Sequence, residues 1–287
     1  MKLHAVHHLY DQRLAASTKP FKARGANVDR CKYCMLVKSL CVCEEKTTLD
    51  TFSGFALVMY DDEVLKPSNT GRLIADTVSD TFAYIWSRTE PNEEMLALVN
   101  DPKWQPFVVF PAQYAEEERV VTSVEVNEGK RPLFIMIDGT WQEAKKIFRK
   151  SPWMANFPVL SFKATEISRY GVREASGESQ LATAEVAAKV LSLAGDVKAG
   201  ECLDAWFDVF REHYITGKRQ KTLPVPGALD RYREIANGEA ADFCDQPIKC
   251  DGGKRIYKEG LCLVSHSIPS ENAIIRTTRN TCFGTME

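Results

Sequence analysis

A short apolar run, followed at once by a polar turn, places the tightest constraint on this chain. Residues 133–137 are apolar without interruption and follow Pro132, a pattern typical of a strand buried on both faces. Asp138 is the first polar residue at the carboxyl end of that run. In an open α/β sheet, ligands bind at the carboxyl ends of the strands. Asp138 therefore stands where a functional side chain is expected.

The residues after Asp138 predict the start of a helix. Thr140 can cap the helix, and Glu143 stands three positions later, where the partner in a capping box belongs. Apolar side chains then recur at helical spacing, at Trp141, Ala144, Ile147 and Phe148. The tetrapeptide Asp-Gly-Thr-Trp thus joins a buried strand to an amphipathic helix.

Strands and helices are predicted to alternate through the middle of the chain. Apolar runs predict strands over residues 52–60, 81–86, 107–110, 133–137 and 159–162. Periodic or capped segments predict helices over 69–79, 92–100, 181–193 and 203–215, and an acidic segment over 112–131 is predicted to be a helix or flap that leads into an edge strand at 120–126. Strands separated by helices imply right-handed crossovers. The predicted fold class is therefore α/β with a mostly parallel sheet.

Two of the loops between predicted strands and helices carry polar residues that are suited to binding an anion. In the first, Pro67 ends an extended segment, Asn69 or Thr70 can cap the next helix, and Gly71 leaves the backbone amides accessible. An ordinary helix cap has the same appearance.

The second loop follows the fifth strand. It contains Arg169 and Arg173, which precede a helix start and whose guanidinium groups are suited to bind a carboxylate or phosphate with two hydrogen bonds. A surface loop is the alternative. Thr183 and Glu185 lie at the start of the following helix.

Four cysteines stand close together before the first strand. A Cys-x-x-Cys pair and a Cys-x-Cys pair together supply Cys31, Cys34, Cys41 and Cys43. Four thiolates at this spacing are typical of structural zinc, although the intervening loop of six residues is tighter than in a standard zinc ribbon. An iron-sulfur cluster also takes four cysteines, and buried free thiols are the third alternative.

Composition limits the cellular setting. The chain has a formal net charge of −2, which is not that of a strongly basic nucleic-acid binder, although cations cluster locally near the cysteines and at Lys145, Lys146, Arg149 and Lys150. No apolar run reaches the length of a membrane span or signal peptide, so we expect a cytoplasmic protein with no membrane contact.

His4, His7 and His8 near the amino terminus are expected to be solvated and without a role.

Several of these segments together resemble the DTW family, the tRNA-uridine aminocarboxypropyltransferases. The resemblance rests on Asp138-Gly-Thr140-Trp141, on a Pro-x-Asn-Thr-x-x-Leu element at 67–73, on Phe110-Pro111, and on Thr183 and Glu185 of a Leu-Ser-Thr-x-Glu element. It covers roughly residues 30–221. One position departs from the family pattern, because Ala182 replaces the serine, and any role of that hydroxyl is in doubt.

The resemblance implies a fold related to the SPOUT, trefoil-knotted methyltransferases and a specific reaction. DTW enzymes transfer the 3-amino-3-carboxypropyl group of S-adenosylmethionine to N3 of a uridine in tRNA. The implied catalytic residues are Asp138 as general base, Thr140 and Trp141, although Asp138 can instead anchor the sulfonium or the amino group. The implied residues around S-adenosylmethionine are Asn69, Thr70, Gly71, Arg72, Pro111, Arg173 and Thr183.

The resemblance also implies a division of the chain and a set of partners. Residues 1–48 are expected to form an amino-terminal arm with a zinc knuckle that helps to hold RNA, residues 49–221 the catalytic domain, and residues 222–287 an extension of unknown role. The expected partner is tRNA, with no obligate protein partner evident. Two other functions remain open: a related S-adenosylmethionine enzyme, either a methyltransferase or an aminocarboxypropyltransferase of ribosomal RNA, and a zinc-bearing RNA-binding protein without catalysis.

Overall fold

A computed structural model describes residues 2–18, 28–162, 182–219, 227–238, 249–250 and 254–257. The strands in this part of the chain are Gly54–Met59 (β1), Thr81–Ile85 (β2), Trp104–Val109 (β3), Val120–Val121 (β4), Val124–Asn127 (β5), Arg131–Asp138 (β6), Val159–Leu160 (β7), Lys249–Cys250 (β8) and Lys254–Tyr257 (β9). The α-helices are Ala5–Ala15 (α1), Gly71–Thr77 (α2), Glu93–Asn100 (α3), Trp141–Arg149 (α4), Thr183–Leu193 (α5), Val197–Lys218 (α6) and Ala228–Asn237 (α7).

Six strands form a parallel sheet in the order β2-β1-β6-β3-β7-β4. Strand β6 lies at its centre, between β1 and β3, with Met59 of β1 opposite Asp138. A second, antiparallel sheet has the order β5-β9-β8. The predicted α/β class with a mostly parallel sheet is confirmed. The SPOUT relation and the trefoil knot stay predictions.

Helices cover both faces of the parallel sheet. On one face, Phe55, Leu57 and Met59 of β1 lie in a large core with α2, α5 and α6, and this core also includes residues of α1, α7 and the cysteine segment. On the other face, Ala56 and Val58 pack with α3 and α4. Strand β1 is buried along its whole length because both of its faces are covered. Segments from all three predicted parts of the chain therefore share one core.

Several predicted boundaries were wrong. The acidic segment forms neither a helix nor one edge strand: it contains 3-10 turns at Ala112–Tyr114 and Glu117–Arg119, and then β4 and β5, which belong to different sheets. Helix α6 begins at Val197, six residues earlier than predicted. In the predicted extension, β8 and β9 form an antiparallel pair.

The expectation that the amino-terminal histidines are solvated was wrong for two of them. His4 Nε2 lies 3.0 Å from Oδ1 of Asp76. The His7 ring stacks on that of His4, and His7 is only 7% exposed. Asp76 also accepts hydrogen bonds from Lys46 Nζ at 2.7 Å and Trp206 Nε1 at 3.1 Å. Although these imidazoles and the carboxylate are close enough to share a metal ion, the Lys46 ammonium already holds Asp76. The cluster is therefore best described as an ion-paired anchor for α1.

Acidification should weaken this anchor through His7. Burial, and next the neighbouring His4, lower the pKa of His7 from 6.5 to about 3. Between these values the unfolded chain binds a proton that the folded chain does not, so the free energy of unfolding decreases as the pH falls through this window. One such group contributes a slope of up to about 1.4 kcal/mol per pH unit.

The variant His7→Gln should reduce that slope in urea-unfolding experiments between pH 7 and pH 4. His8→Gln is the matched control, because His8 is exposed on the same helix and should leave the slope at its wild-type value. Equal slopes for wild type and His7→Gln would show that His7 titrates alike in both states.

Candidate active site and metal centre

Asp138 is held at the carboxyl end of the central strand by two side chains from distant segments. It is 2% exposed. Its Oδ2 accepts a hydrogen bond from Asn69 Nδ2 at 2.6 Å, and its Oδ1 accepts one from Thr183 Oγ1 at 2.8 Å. A buried carboxylate requires such donors, because burial without them carries a large desolvation cost. The structure thus brings together three of the residues predicted from sequence.

The start of α2 approaches the same carboxylate through its backbone. Thr70 precedes the helix, and Gly71 is its first residue. A Cβ atom at Gly71 would overlap Oδ2 of Asp138, so only glycine fits at this close approach. The amino terminus of a helix carries partial positive charge, which favours a neighbouring carboxylate. Asn69, Gly71 and Asp138 therefore form one packed unit.

A second buried carboxylate extends this unit and was missed from the sequence. Glu63 is fully buried, and its Oε1 accepts a hydrogen bond from Asn69 Nδ2 at 3.4 Å. Its Oε2 accepts one from Lys66 Nζ at 2.8 Å. Burial opposes the charge on Lys66, but the hydrogen bond and ion pair with Glu63 prevail and raise the pKa of Lys66. The only local signal was an acid three residues before a lysine, with two apolar residues between them.

Arg72 is placed differently from the residues beside it. Its guanidinium is buried and donates to the backbone carbonyls of Lys66 at 3.0 Å and Tyr33 at 3.4 Å, and its Nε donates to that of Asn69 at 3.3 Å. These contacts tie the loop before α2 to the cysteine segment. The expectation that Arg72 contacts S-adenosylmethionine stays a prediction.

The turn after Asp138 has the predicted capping box. Thr140 Oγ1 accepts from the Glu143 amide at 3.4 Å, and the Thr140 amide donates to Glu143 Oε2 at 2.7 Å. The Trp141 ring stacks on Phe110, with centroids 5.6 Å apart. Pro111 follows Phe110 just beyond the end of β3, and it is exposed. Thr140 and Trp141 thus fix the turn that carries Asp138.

The remaining predicted residues fall on or near the segment 163–181. Arg169 and Arg173 lie outside the described residues. At its far side, the Ala182 amide donates to Oε2 of Glu185 at 2.8 Å, which is the backbone half of a capping box. Alanine at 182 supplies no side-chain acceptor to complete it. Thr183, the next residue, uses its hydroxyl for Asp138.

A known protein family matches most of this chain. The family model described as DTW domain matches residues 28–215. The chain belongs to the DTW family. This is the family of tRNA-uridine aminocarboxypropyltransferases, and membership indicates a tRNA-modifying transferase. The match spans the cysteines, Asp138 and Thr183, whereas α1 and α7 lie beyond it. No solved structure matches the chain.

Within the described residues, no helix combines the length and apolar character that a membrane crossing needs.

The four cysteines of the DTW domain converge as a metal-binding group. All four Sγ atoms lie within 4.8 Å of one another, with 3.6 Å between Cys31 and Cys43 and 3.8 Å between Cys34 and Cys41. Four thiolates around one zinc ion at about 2.3 Å stand about 3.8 Å apart. These two distances match that spacing, so the cluster can bind a metal ion such as zinc.

Local backbone geometry produces this convergence. Met35 adopts a left-handed conformation with φ of 61°, which turns the chain directly after Cys34. The turn is closed by a hydrogen bond from the Met35 amide to the Cys31 carbonyl at 2.9 Å and one from the Cys31 amide to the Leu36 carbonyl at 2.8 Å. The two sulfurs of the Cys-x-x-Cys pair consequently face the same point.

The cluster favours at least one thiolate. A hydrogen bond from Cys43 lowers the pKa of Cys34 to about 5 against the effect of burial, with further help from the amides of Leu36 and Val42. Burial raises the pKa of Cys41 to about 11. Cys41 therefore needs a nearby cation to lose its proton, and a bound metal ion supplies that charge.

Metal content tests this centre directly. We expect the purified protein to contain one metal ion per chain by elemental analysis for zinc and iron, and Cys34→Ser to lose that ion and melt at a lower temperature. Cys202→Ser is the matched control, because Cys202 is a fully buried thiol on α6 and no part of the cluster. Wild-type protein that contains neither metal, or a Cys202 variant that loses as much, would contradict the assignment.

The close approach at Gly71 can be tested by a double-mutant cycle. Gly71→Ala should reduce the free energy of unfolding by about 1–3 kcal/mol, as overpacking of a filled site does. Because the added methyl group meets Asp138 Oδ2, the cost should be much smaller when Asp138→Ala is already present. Chemical denaturation of the four proteins measures this coupling. Equal costs in both backgrounds would mean that the clash lies elsewhere.

Proposed function

We propose that this protein transfers the 3-amino-3-carboxypropyl group of S-adenosylmethionine to N3 of a tRNA uridine. One observation carries the proposal: three separate segments of the DTW domain meet at the buried carboxylate of Asp138. Membership of the family supplies the reaction class. The specific reaction, the cosubstrate and the base are our proposal.

Asp138 is proposed as the general base. Uridine N3 carries a weakly acidic proton, and a carboxylate within hydrogen-bond distance can accept that proton as the nitrogen attacks. S-adenosylmethionine supplies a methylene carbon activated by the sulfonium. The N3–C bond forms, the C–S bond breaks, the N3 proton passes to Asp138, and methylthioadenosine leaves with the sulfur's electron pair.

The neighbouring residues are proposed to position the reactants. Asn69 and Thr183 hold the carboxylate in one orientation, which serves the accurate geometry that proton transfer needs. The start of α2 at Thr70 and Gly71 offers backbone amides to the carboxylate of the amino acid portion. Trp141, held by Phe110, is proposed to pack against a base.

We also propose that the cysteine centre binds zinc in a structural role. Four cysteine ligands complete a tetrahedral zinc shell and leave no position for a substrate. The centre is therefore proposed to organise the segment before β1, where the cations near it can approach the phosphates of tRNA.

Mass spectrometry of nucleosides tests the reaction. Unmodified tRNA is incubated with the protein and S-adenosylmethionine, and we expect a uridine heavier by one aminocarboxypropyl group. Asp138→Asn should lower the rate at least about 100-fold, the contribution typical of a general base, while tRNA binding is retained. Asp80→Asn is the control, because Asp80 pairs with Arg131 at the opposite end of the sheet and should leave the rate nearly unchanged.

Each other outcome points to a different function. A methyl-sized increase would keep the cosubstrate and replace the reaction. Product from ribosomal RNA alone would replace the substrate. Bound tRNA without any product would favour the RNA-binding protein without catalysis, and full turnover by Asp138→Asn would remove Asp138 as the base.

A further inference from the structure

Two aromatic residues leave the sheet at the same edge as Asp138. Tyr60 directly follows β1, and its amide donates to the Asp138 carbonyl at 2.9 Å. Trp86 directly follows β2, and its amide donates to the Met59 carbonyl at 2.8 Å. Both side chains therefore stand at the carboxyl edge of the parallel sheet, one and two strands away from the proposed base.

The two rings form a fixed pair. Their centroids are 5.9 Å apart and their planes are inclined by 25°, so they are stacked with an offset. The Trp86 indole donates from Nε1 to Oγ of buried Ser151 at 2.9 Å, which sets its orientation. Both side chains are only half-buried, so part of this aromatic surface faces solvent.

A lysine from α4 lies over this pair. Lys146 Nζ is 5.3 Å from the centroid of Tyr60 and 5.7 Å from that of Trp86, and it donates to the Tyr60 hydroxyl at 3.1 Å. Lys146 is exposed, and no carboxylate in the described part of the chain pairs with it. Its charge is thus available to an anion.

The surrounding charges leave this positive potential in place. Asp61 and Asp62, which follow Tyr60, are paired with Arg13 and Lys66. Glu143, three residues before Lys146, accepts a hydrogen bond from the Thr140 amide. The exposed Arg88 follows Trp86 by two residues and has no ion pair with any described acid. Core packing would explain two half-buried rings, but it does not explain an unpaired cation held over both of them.

We propose that Tyr60 and Trp86 form a stacking platform for a nucleobase of single-stranded RNA, and that Lys146 binds the phosphate of the same nucleotide. The inference rests on the proposed function, because it takes RNA as the substrate. It adds the place where an unpaired nucleotide beside the modified uridine is held. Aromatic rings and adjacent cations are the combination by which proteins hold single strands.

When RNA binds, Lys146 exchanges its contact with the two rings for a contact with a phosphate. In the free protein the ammonium of Lys146 occupies the region over the rings. An incoming base takes that region by stacking, and the flexible lysine moves to the phosphate, where it gains an opposite charge. Because every base has a π-face, the platform accepts different bases, and it contributes affinity and placement rather than sequence choice.

Binding experiments test the platform independently of the reaction. The probes are a fluorescein-labelled oligonucleotide of ten uridines and an unmodified tRNA transcript, both followed by anisotropy over a series of salt concentrations. Trp86→Leu should weaken binding of the decanucleotide by about ten-fold or more, as loss of one stacked base does, with little change in salt dependence. Lys146→Gln should reduce the slope of log K against log salt by about 0.7, the value for one phosphate contact on a single strand.

A matched control separates these effects from general damage. Lys103→Gln removes a lysine that also lies over a tryptophan ring, that of Trp104, but at the amino edge of the sheet. Its salt slope should equal that of wild type. Melting temperatures identify any variant that is not folded, and Lys146, being exposed, can be tested even if Trp86→Leu unfolds.

The outcomes distinguish this inference from the proposed reaction. Wild-type affinity and slope in folded Lys146→Gln, or no binding of the decanucleotide by wild type, would overturn the platform even if modified uridine is formed. Loss of binding in the platform variants, with no aminocarboxypropyl product from wild type, would support the platform and overturn the reaction.

Discussion

The buried carboxylate of Asp138 is the constraint on which the rest of the site depends. A charged group that is 2% exposed is tolerated only when fixed donors replace water. Those donors come from Asn69, 69 residues earlier, and Thr183, 45 residues later. The loops before α2 and α5 must therefore reach the end of β6 together, and the backbone at Gly71 must pass close to the same oxygen. The site therefore exists only where these three segments are packed together.

Much of the fold could be predicted because its signals are local. The apolar runs of β1, β2 and β6 and the capping box of α4 involve residues that are adjacent in sequence or three to four positions apart. The strand order was not predictable in this way. Strand β6 pairs with β1 and β3, although β4 and β5 lie before it in the chain, so pairing is decided by crossovers and by burial of whole faces.

The same division applies to the site. Asn69 and Thr183 could be singled out because family elements mark them, and Gly71 because it stands at a predicted helix start. Their convergence on Asp138 is a tertiary fact. Glu63 was missed because nothing in its local sequence shows that it becomes fully buried beside Asn69. His7 was misjudged for the same reason: its position near the terminus suggested solvent, whereas α1 packs onto the sheet's own core.

Arg72 connects the cysteine centre to the carboxylate cluster. Its guanidinium donates to the Tyr33 carbonyl, inside the Cys-x-x-Cys turn, and to the Lys66 carbonyl, in the loop that presents Asn69. A metal ion that fixes this turn also fixes one end of the arginine's hydrogen-bond set. The other end stabilises the loop from which Asn69 reaches Asp138. The centre can thus influence the proposed base without any contact between the metal ion and a substrate.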